Sequence, residues 1–428
     1  MSVEPLLPVA LGNGRVRYAP GMRAGSWVFA TGHMAQDYGR GIAASVLREG
    51  APNAAGPKPV REAARVFDNV EAVLAAGGAS LDRVVRTDQY YTTVAMVPPY
   101  QAERRRRFGA LIPPSTSIVQ QGLLLPGAAL DLQIVAVAGD GPQVAHIDHE
   151  TLRGQPTSGY SAALTAGDFV FVPGNTATAV ADEEARNGVA ADALIAQGQL
   201  WGGERLRLET AFIVERRLLP SLDLAGLGPA DVVKAQIYLT DPAECAVVHD
   251  VWTEHFGSGA ALSIVPCMPR GLVIEDGKIE INILAHRNGA AAKAVVEAGT
   301  APAFGGQAEA VRCGDLLFLS ALMAADGDGP LAAPDPRQPH FADPAGDEAD
   351  AILDAAERIC AAAGTSLENV VRVQQFHTDI ADFYPVHRAW QRRLPGRPIP
   401  FSAVKVPGPL PVPGCSTMMD LWVYAPQP

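Results

Sequence analysis

The sequence predicts an α+β protein built as three tandem two-layer sandwiches, and three observations predict it. The strings "AGSWVFATG" (24–32), "AGDFVFVPG" (166–174) and "CGDLLFLSA" (313–321) are copies of one turn and strand. A second unit recurs as "GASLDRVVRTDQYYTT" (78–93), "LGPADVVKAQIYLTD" (227–241) and "GTSLENVVRVQQFHTD" (364–379). Each copy then closes on an apolar strand with a single acid: "ALDLQIVAV", "KIEINILAH" and "MMDLWVYAP". The first strings start 142 and 147 residues apart in a chain of 428. Solenoid repeats run roughly 20–50 residues, so a period this long denotes whole domains. The expected domains are 1–142, 150–288 and 300–428.

Each repeat reads in one order. A β-hairpin opens it; in the first, "RVRYAP" and "SWVFATGHM" flank Gly21 and Gly25. A loop rich in Gly, Pro and Ala follows (36–59, 178–204, 325–346). An amphipathic helix comes next: Val60, Ala64, Phe67, Val70 and Leu74 share a face, and Gly77 and Gly78 end it. Its counterparts are 209–226 and 347–364, and Pro220 is expected to bend or stop the former. A strand, a second helix and two further strands finish the unit. Strands whose helices return to one sheet give a two-layer sandwich. Linkers are expected at about 140–150 and 287–300.

Composition narrows the function. Hydrophobic residues make up 48% and charged residues 19%, as in a folded chain. The net charge of −12 argues against nucleic acid or an anionic membrane as partner. The run Arg104–Arg107 is expected on a solvated helix face, with anion capture as the alternative. Five scattered cysteines make neither a disulfide framework nor a zinc set. "HIDHE" (146–150) has metal-ligand spacing but falls in an expected linker, so no metal is expected. Without a basic n-region or a long apolar run, a cytoplasmic protein is expected. No phosphate loop or nucleophile elbow is present, and no cofactor is expected. Trp201, Trp252 and Trp390 read as packing or cleft-wall residues.

This order of elements resembles the Rid family, also called the YjgF family, in all three copies. The motif "S-L-x-x-V-V-R" and the closing acid strand carry the resemblance; the second copy departs from the former with "PADVVK". The resemblance implies chorismate-mutase-like, YjgF-type sandwiches that associate as trimers, with small-molecule clefts between neighbours. Here it implies an intramolecular pseudo-trimer with three non-identical clefts, alone or in a higher assembly. It also implies hydrolysis of enamines and imines such as 2-aminoacrylate, using an Arg that forks onto the substrate carboxylate. That position reads Ser117, Ser263 and Ser402, and the Cys two residues on is Val119, Val265 and Val404. The family carboxylate matches Asp131, Glu280 and Asp420. The pocket aromatic matches Tyr18 and Tyr160, with Gln307 in the third copy. The strand end reads Thr31, Pro173 and Ser320, followed by Gly32, Gly174 and Ala321. The second-helix position that reaches across the cleft reads Gln101, His249 and His387.

A lone acid on an apolar strand is costly to bury unless paired, and burial raises its pKa into the acid–base range. The alternative is an acid facing solvent or fixed by backbone N–H groups. His249 or His387 facing a carboxylate would make an acid–base pair; His33 and His377 are further pocket candidates. The leading expectation is an enzyme acting on a small imine, enamine or enol-type intermediate at one or more clefts. Asp131, Glu280 or Asp420 would move the proton, and Tyr18 or Tyr160 would hold the substrate. Loss of the Arg suggests a substrate without the usual carboxylate, or one held differently. A chorismatase-like hydrolase or lyase is one alternative; it should gather Arg, and Arg270, before Glu275, is the nearby candidate. A non-catalytic small-molecule binder is the other.

Overall fold

The computed structural model describes residues 3–48, 56–153, 158–178, 188–195, 204–272, 274–300, 307–331, 337 and 340–426. Among these, each repeat forms one sheet with two helices on its outer face. The first sheet runs Val3–Leu6, Gly21–Ala24, Trp27–His33, Leu130–Val137, Val84–Tyr91, Ser115–Val119. The acid strand is therefore central, antiparallel to both neighbours, and only the last pair is parallel. The second sheet repeats the order with Ile279–His286 at its centre, and the third with Thr417–Tyr424. Gly25, Gly167 and Gly314 turn the three hairpins at φ +57, +59 and +57°, a conformation glycine adopts without a Cβ penalty.

Three expectations change. Val16–Tyr18 pairs with Val9–Leu11, not with the strand after Gly25, whose hairpin partner is Gly21–Ala24. The segments read as linkers carry edge strands: Val144–Ile147 opens the second sheet and Ala294–Val296 the third. Pro220 does not stop its helix. Helical structure runs over Glu204–Ile213, a π turn at Val214–Leu218, and Leu219–Leu224. Pro220 falls in the first turn of that last segment, where a missing N–H breaks no α-helical bond.

Period-2 alternation sends one side of each sheet to its helices and the other inward. Val66, Phe67, Val70 and Leu74 of the first helix cover Leu130, Leu132 and Ile134. A buried glutamate on each first helix holds the backbone N–H groups where the acid strand begins: Glu62 at Leu130, Glu209 at Lys278 and Glu348 at Thr417. The inward faces pool Phe29, Val135, Phe171, Leu284, Phe318 and Trp422 in one apolar cluster drawn from all three units. Single parallel bridges join the units pairwise: Ile112 with Tyr160, Ala261 with Ala308, and Tyr18 with Ile399. The three seams so formed are where the sites were expected.

Candidate functional site

Aligned by their repeats, the seams differ in what faces each acid. At the second-to-third seam, Lys234 Nζ lies 2.8 Å from Asp420 Oδ2 and 2.7 Å from Ser263 Oγ. Ser263 Oγ donates to the same carboxylate oxygen at 2.6 Å. Burial alone would raise the Asp420 pKa, but Lys234 and Arg372 hold it below the ordinary range. Ser320 Oγ accepts from Leu262 N and donates to Ala308 O, and Gln307 Nε2 donates to Leu262 O. The remaining space there, about 180 Å³, is lined largely by Leu262, Ile264, Met323 and Met418 and does not reach Asp420.

The third-to-first seam is closed by aromatic packing. The Tyr18 ring lies 4.7 Å from that of Phe401, which lies 4.8 Å from Phe383. Tyr18 is buried, its hydroxyl turned onto Thr31 O, and Thr31 Oγ1 donates to Ala19 O. Gly32, at φ +58°, packs against the Phe401 carbonyl with no room for a Cβ. Ser402 Oγ donates to Asp131 Oδ1 at 3.2 Å; burial raises this carboxyl to about 7. His387 does not face a carboxylate: its Nε2 accepts from Arg17 N, its ring packs on Phe383 and Phe401, and burial lowers it to about 4. His33 is likewise no pocket residue; it is buried against Pro20 O and Tyr38 and lowered to about 4.

The first-to-second seam is open. Ser115, Ser117, Tyr160, Asn175, Arg217 and Glu280 are among the residues lining a cleft of about 510 Å³, part of it open to solvent. Glu280 is 4% exposed, and among the described residues its one hydrogen bond is from Ser117 N at 3.4 Å. Burial pushes its carboxyl up to about 8; the Ser117 N–H opposes this and the Asp88 charge adds to it. Gly174 lies so close that an added Cβ would collide with Oε1 of Glu280. Tyr160 donates to Gly174 O at 3.1 Å. Gln101 reaches across the seam to Ser158 Oγ at 3.3 Å. His249, its counterpart in the second repeat, is half-buried with its pKa lowered by burial, and it is not among the cleft residues.

Two residues at this seam escaped the sequence reading, Arg217 in the cleft lining and Arg104 behind it. Arg104, expected to be solvated, is 1% exposed and bonds Ser115 Oγ at 2.7 Å and Ser158 O at 2.6 Å. The rest of that run divides: Arg107 pairs with Asp68, Glu71 and Glu103, and Arg106 with Glu103. Arg217 donates to Asn175 Oδ1, Thr151 O and Leu152 O. Among the described residues no carboxylate lies in ion-pair reach of either guanidinium. The signal for Arg104 lay in the repeats: three residues past Gln101, His249 and His387 stand Arg104, Trp252 and Trp390. Likewise Thr116 stands where Leu262 and Phe401 fill the other seams.

The "HIDHE" side chains turn elsewhere: His146 to Ser161, His149 to Thr151, Asp148 to Arg153. Trp201 lies outside the described residues. Among the described residues no helix is long and apolar enough to cross a membrane.

The family model described as Endoribonuclease L-PSP matches residues 12–138 and 151–287. A RutC family protein of Pyrococcus abyssi is 27% identical over 124 residues, 28% of this chain and 84% of that protein. Among solved structures, a Mycobacterium tuberculosis member of the YjgF/YER057c/UK114 family is 24% identical, covering 34% of this chain and 99% of its own, at a TM-score of 0.25. A chorismatase is 14% identical, covering 66% of this chain and 80% of its own, at a TM-score of 0.42.

Proposed function

This chain belongs to the Endoribonuclease L-PSP family, known also as YjgF/YER057c/UK114 or Rid, and from that premise we propose that it hydrolyses a small enamine or imine in the first-to-second cleft. The observation that carries the proposal is the place of Glu280: a carboxyl buried in the open seam, its pKa raised by burial to about 8, with no cation partner among the described residues. Its counterparts are neutralised by Lys234 or sealed beneath aromatic rings.

The chemistry needs one group that gives and takes a proton. Glu280 protonates the enamine carbon, leaving an iminium and a carboxylate. Water adds to the iminium carbon and gives its proton to that carboxylate, forming a carbinolamine. Glu280 then protonates the nitrogen, the C–N bond breaks, ammonia leaves, and the hydroxyl proton returns to Glu280 as the carbonyl forms. A pKa near the working pH suits both halves of this cycle. Tyr160 and Ser117, each held by its own hydrogen bond, would bound the substrate.

The test is release of ammonia and keto acid from freshly generated imino acids, 2-aminoacrylate included. Glu280→Gln should abolish turnover, and Asp131→Asn should leave it intact. Equal turnover in wild type and Glu280→Gln would refute the assignment.

A further inference from the structure

We propose that the third-to-first junction holds a binding site for a small diamine at the hairpin end of its strands, apart from the seams that hold the acids.

The hollow there is bounded by Glu4, Arg23, Ser26 and Asp140 of the first repeat and by Asp315 and Tyr424 of the third. Tyr424 stands four residues along its strand from Asp420, about 13 Å at ~3.3 Å per residue, so the hollow lies beyond the layer of acids. The residues at the same distance past the other two acids are Val135 and Leu284. All three enter the apolar cluster between the units, but the third repeat alone brings a hydroxyl. Tyr424 is 2% exposed, yet its hydroxyl makes no hydrogen bond among the described residues. A buried phenol ordinarily finds a partner. Gly25 leaves room for this one: at φ +57°, a Cβ there would come within 2.8 Å of Tyr424 Oη. The hydroxyl therefore lies against the hairpin turn, at the wall of the hollow.

Charge sets the class of ligand. Three carboxylates and one guanidinium line the hollow, which leaves two negative charges. Arg23 Nη2 lies 3.3 Å from Asp140 Oδ2, and Glu4 is the cross-strand neighbour of Arg23. Asp315 Oδ1 accepts from Trp27 Nε1 across the junction at 2.9 Å, but among the described residues no cation pairs with this carboxylate. Burial raises its pKa above the ordinary range, with the Trp27 bond opposing. A cation beside it would offset that burial. Among the described residues no group of three His, Cys, Asp or Glu is set to hold a metal ion. An organic cation fits instead. An alkylammonium has N–H donors and no acceptor, which suits the Asp315 carboxylate and the oxygens of Tyr424 and Ser26. A second ammonium on the same ligand balances the second charge.

The test uses the full chain with putrescine and its uncharged counterpart, butanediol, as probes. Calorimetric titration is run at about 0.15 M salt, which screens exposed charges beyond about 8 Å. Wild type should bind a single putrescine at least about ten-fold more tightly than the diol, as charge-assisted bonds imply. Asp315→Asn, which keeps an acceptor for Trp27, should bring that ratio close to one. Tyr424→Phe, which leaves the ring in the core, should weaken putrescine by about three-fold or more and leave turnover unchanged. Glu357→Gln, on the outer helix Pro344–Ala362, should leave putrescine binding as it is. A crystal of wild type with putrescine should place an ammonium between Asp315 and Tyr424, which decides the matter even where the variants fold poorly. No saturable binding, equal affinity for the two probes, or an unchanged ratio in a folded Asp315→Asn would each overturn the proposal. So would an equal loss in Glu357→Gln, which would reveal attraction to the acidic surface at large.

Discussion

Arg86 Nε lies 2.8 Å from Asp88 Oδ2, two residues along the same strand, and Arg372 of the third repeat reaches that same oxygen at 2.6 Å. Arg86, Lys234 and Arg372 are equivalent positions, as are Asp88, Gln236 and Gln374. Lys234, with Gln236 beside it, crosses its seam to Asp420. Arg86 and Arg372 are instead drawn to the centre, stacked over Trp422 and tied into Gln236, Gln374 and Tyr90. One aspartate therefore withholds two cations from two seams. Among the described residues that leaves Glu280 and Asp131 without an ion-pair partner, and burial raises both, Arg372 opposing the rise at Asp131 from a distance.

Asp88→Asn should release Arg86 toward Glu280. The Glu280 pKa then falls, both because a cation arrives and because the Asp88 charge is lost. In a pH–rate profile, the alkaline limb expected near 8 should move to lower pH and the maximal rate should drop. A profile unchanged in position would show that Asp88 does not set the acid.

Lys234→Met should cost about 3–5 kcal/mol in urea denaturation, because it strands a buried carboxylate. Adding Asp420→Asn should recover part of that loss, and the double-mutant cycle isolates the pair. Turnover by the folded fraction should stay at the wild-type level, since this seam is closed. Lost activity in a stably folded Lys234→Met would move the site to the second-to-third seam.

Gly174→Ala should lower turnover by about ten-fold or more, because displacing a catalytic group by roughly 1 Å can cost ~100-fold. The added methyl meets Oε1 of Glu280. Gly32→Ala, the equivalent change in the closed third-to-first seam, should act on stability instead. There the methyl meets a backbone carbonyl, and the backbone is left-handed. Steady-state kinetics and thermal melts together separate the two outcomes.

The repeat, the acid on each closing strand and the tyrosine beside the second of them were legible, because strand periodicity and spacing are local properties. The selection among clefts was not. The lysine of "PADVVK" was visible as a departure, but that it neutralises Asp420 depends on a contact between residues 186 positions apart in sequence. Arg104 was hidden by its neighbours: a run of four arginines reads as solvated, and only comparison with Trp252 and Trp390 marks it as a buried position. Arg217 was hidden by the π turn, since a helix read at a uniform 3.6-residue period places it on the wrong face. The histidines misled for a related reason. A shared helical position puts His249 and His387 at corresponding places, but the fate of His387 is set by Phe383 and Phe401, which are aromatic in that repeat alone.

Stability should depend on pH through Glu280, in the direction opposite to a salt-bridged acid. Its folded pKa, about 8, lies above the unfolded value of 4.5. Between those values the folded state binds the extra proton, so stability declines as pH rises from about 4.5 to 8 and levels off beyond. The full span corresponds to an upper limit on the order of 4–5 kcal/mol at ~1.4 kcal/mol per pH unit. Asp131, raised from 3.8 to about 7, contributes a second decline that ends near pH 7. Glu280→Gln keeps the shape but cannot ionise. It should therefore flatten the urea-midpoint profile between pH 7 and 8 and make the variant more stable than wild type at pH 8, while turnover is lost. A variant that gains stability as it loses activity is expected where an uncharged acid is held in a cleft for chemistry. If Glu280→Gln instead lowers stability at pH 8, the carboxylate is a structural partner and the catalytic assignment falls with it.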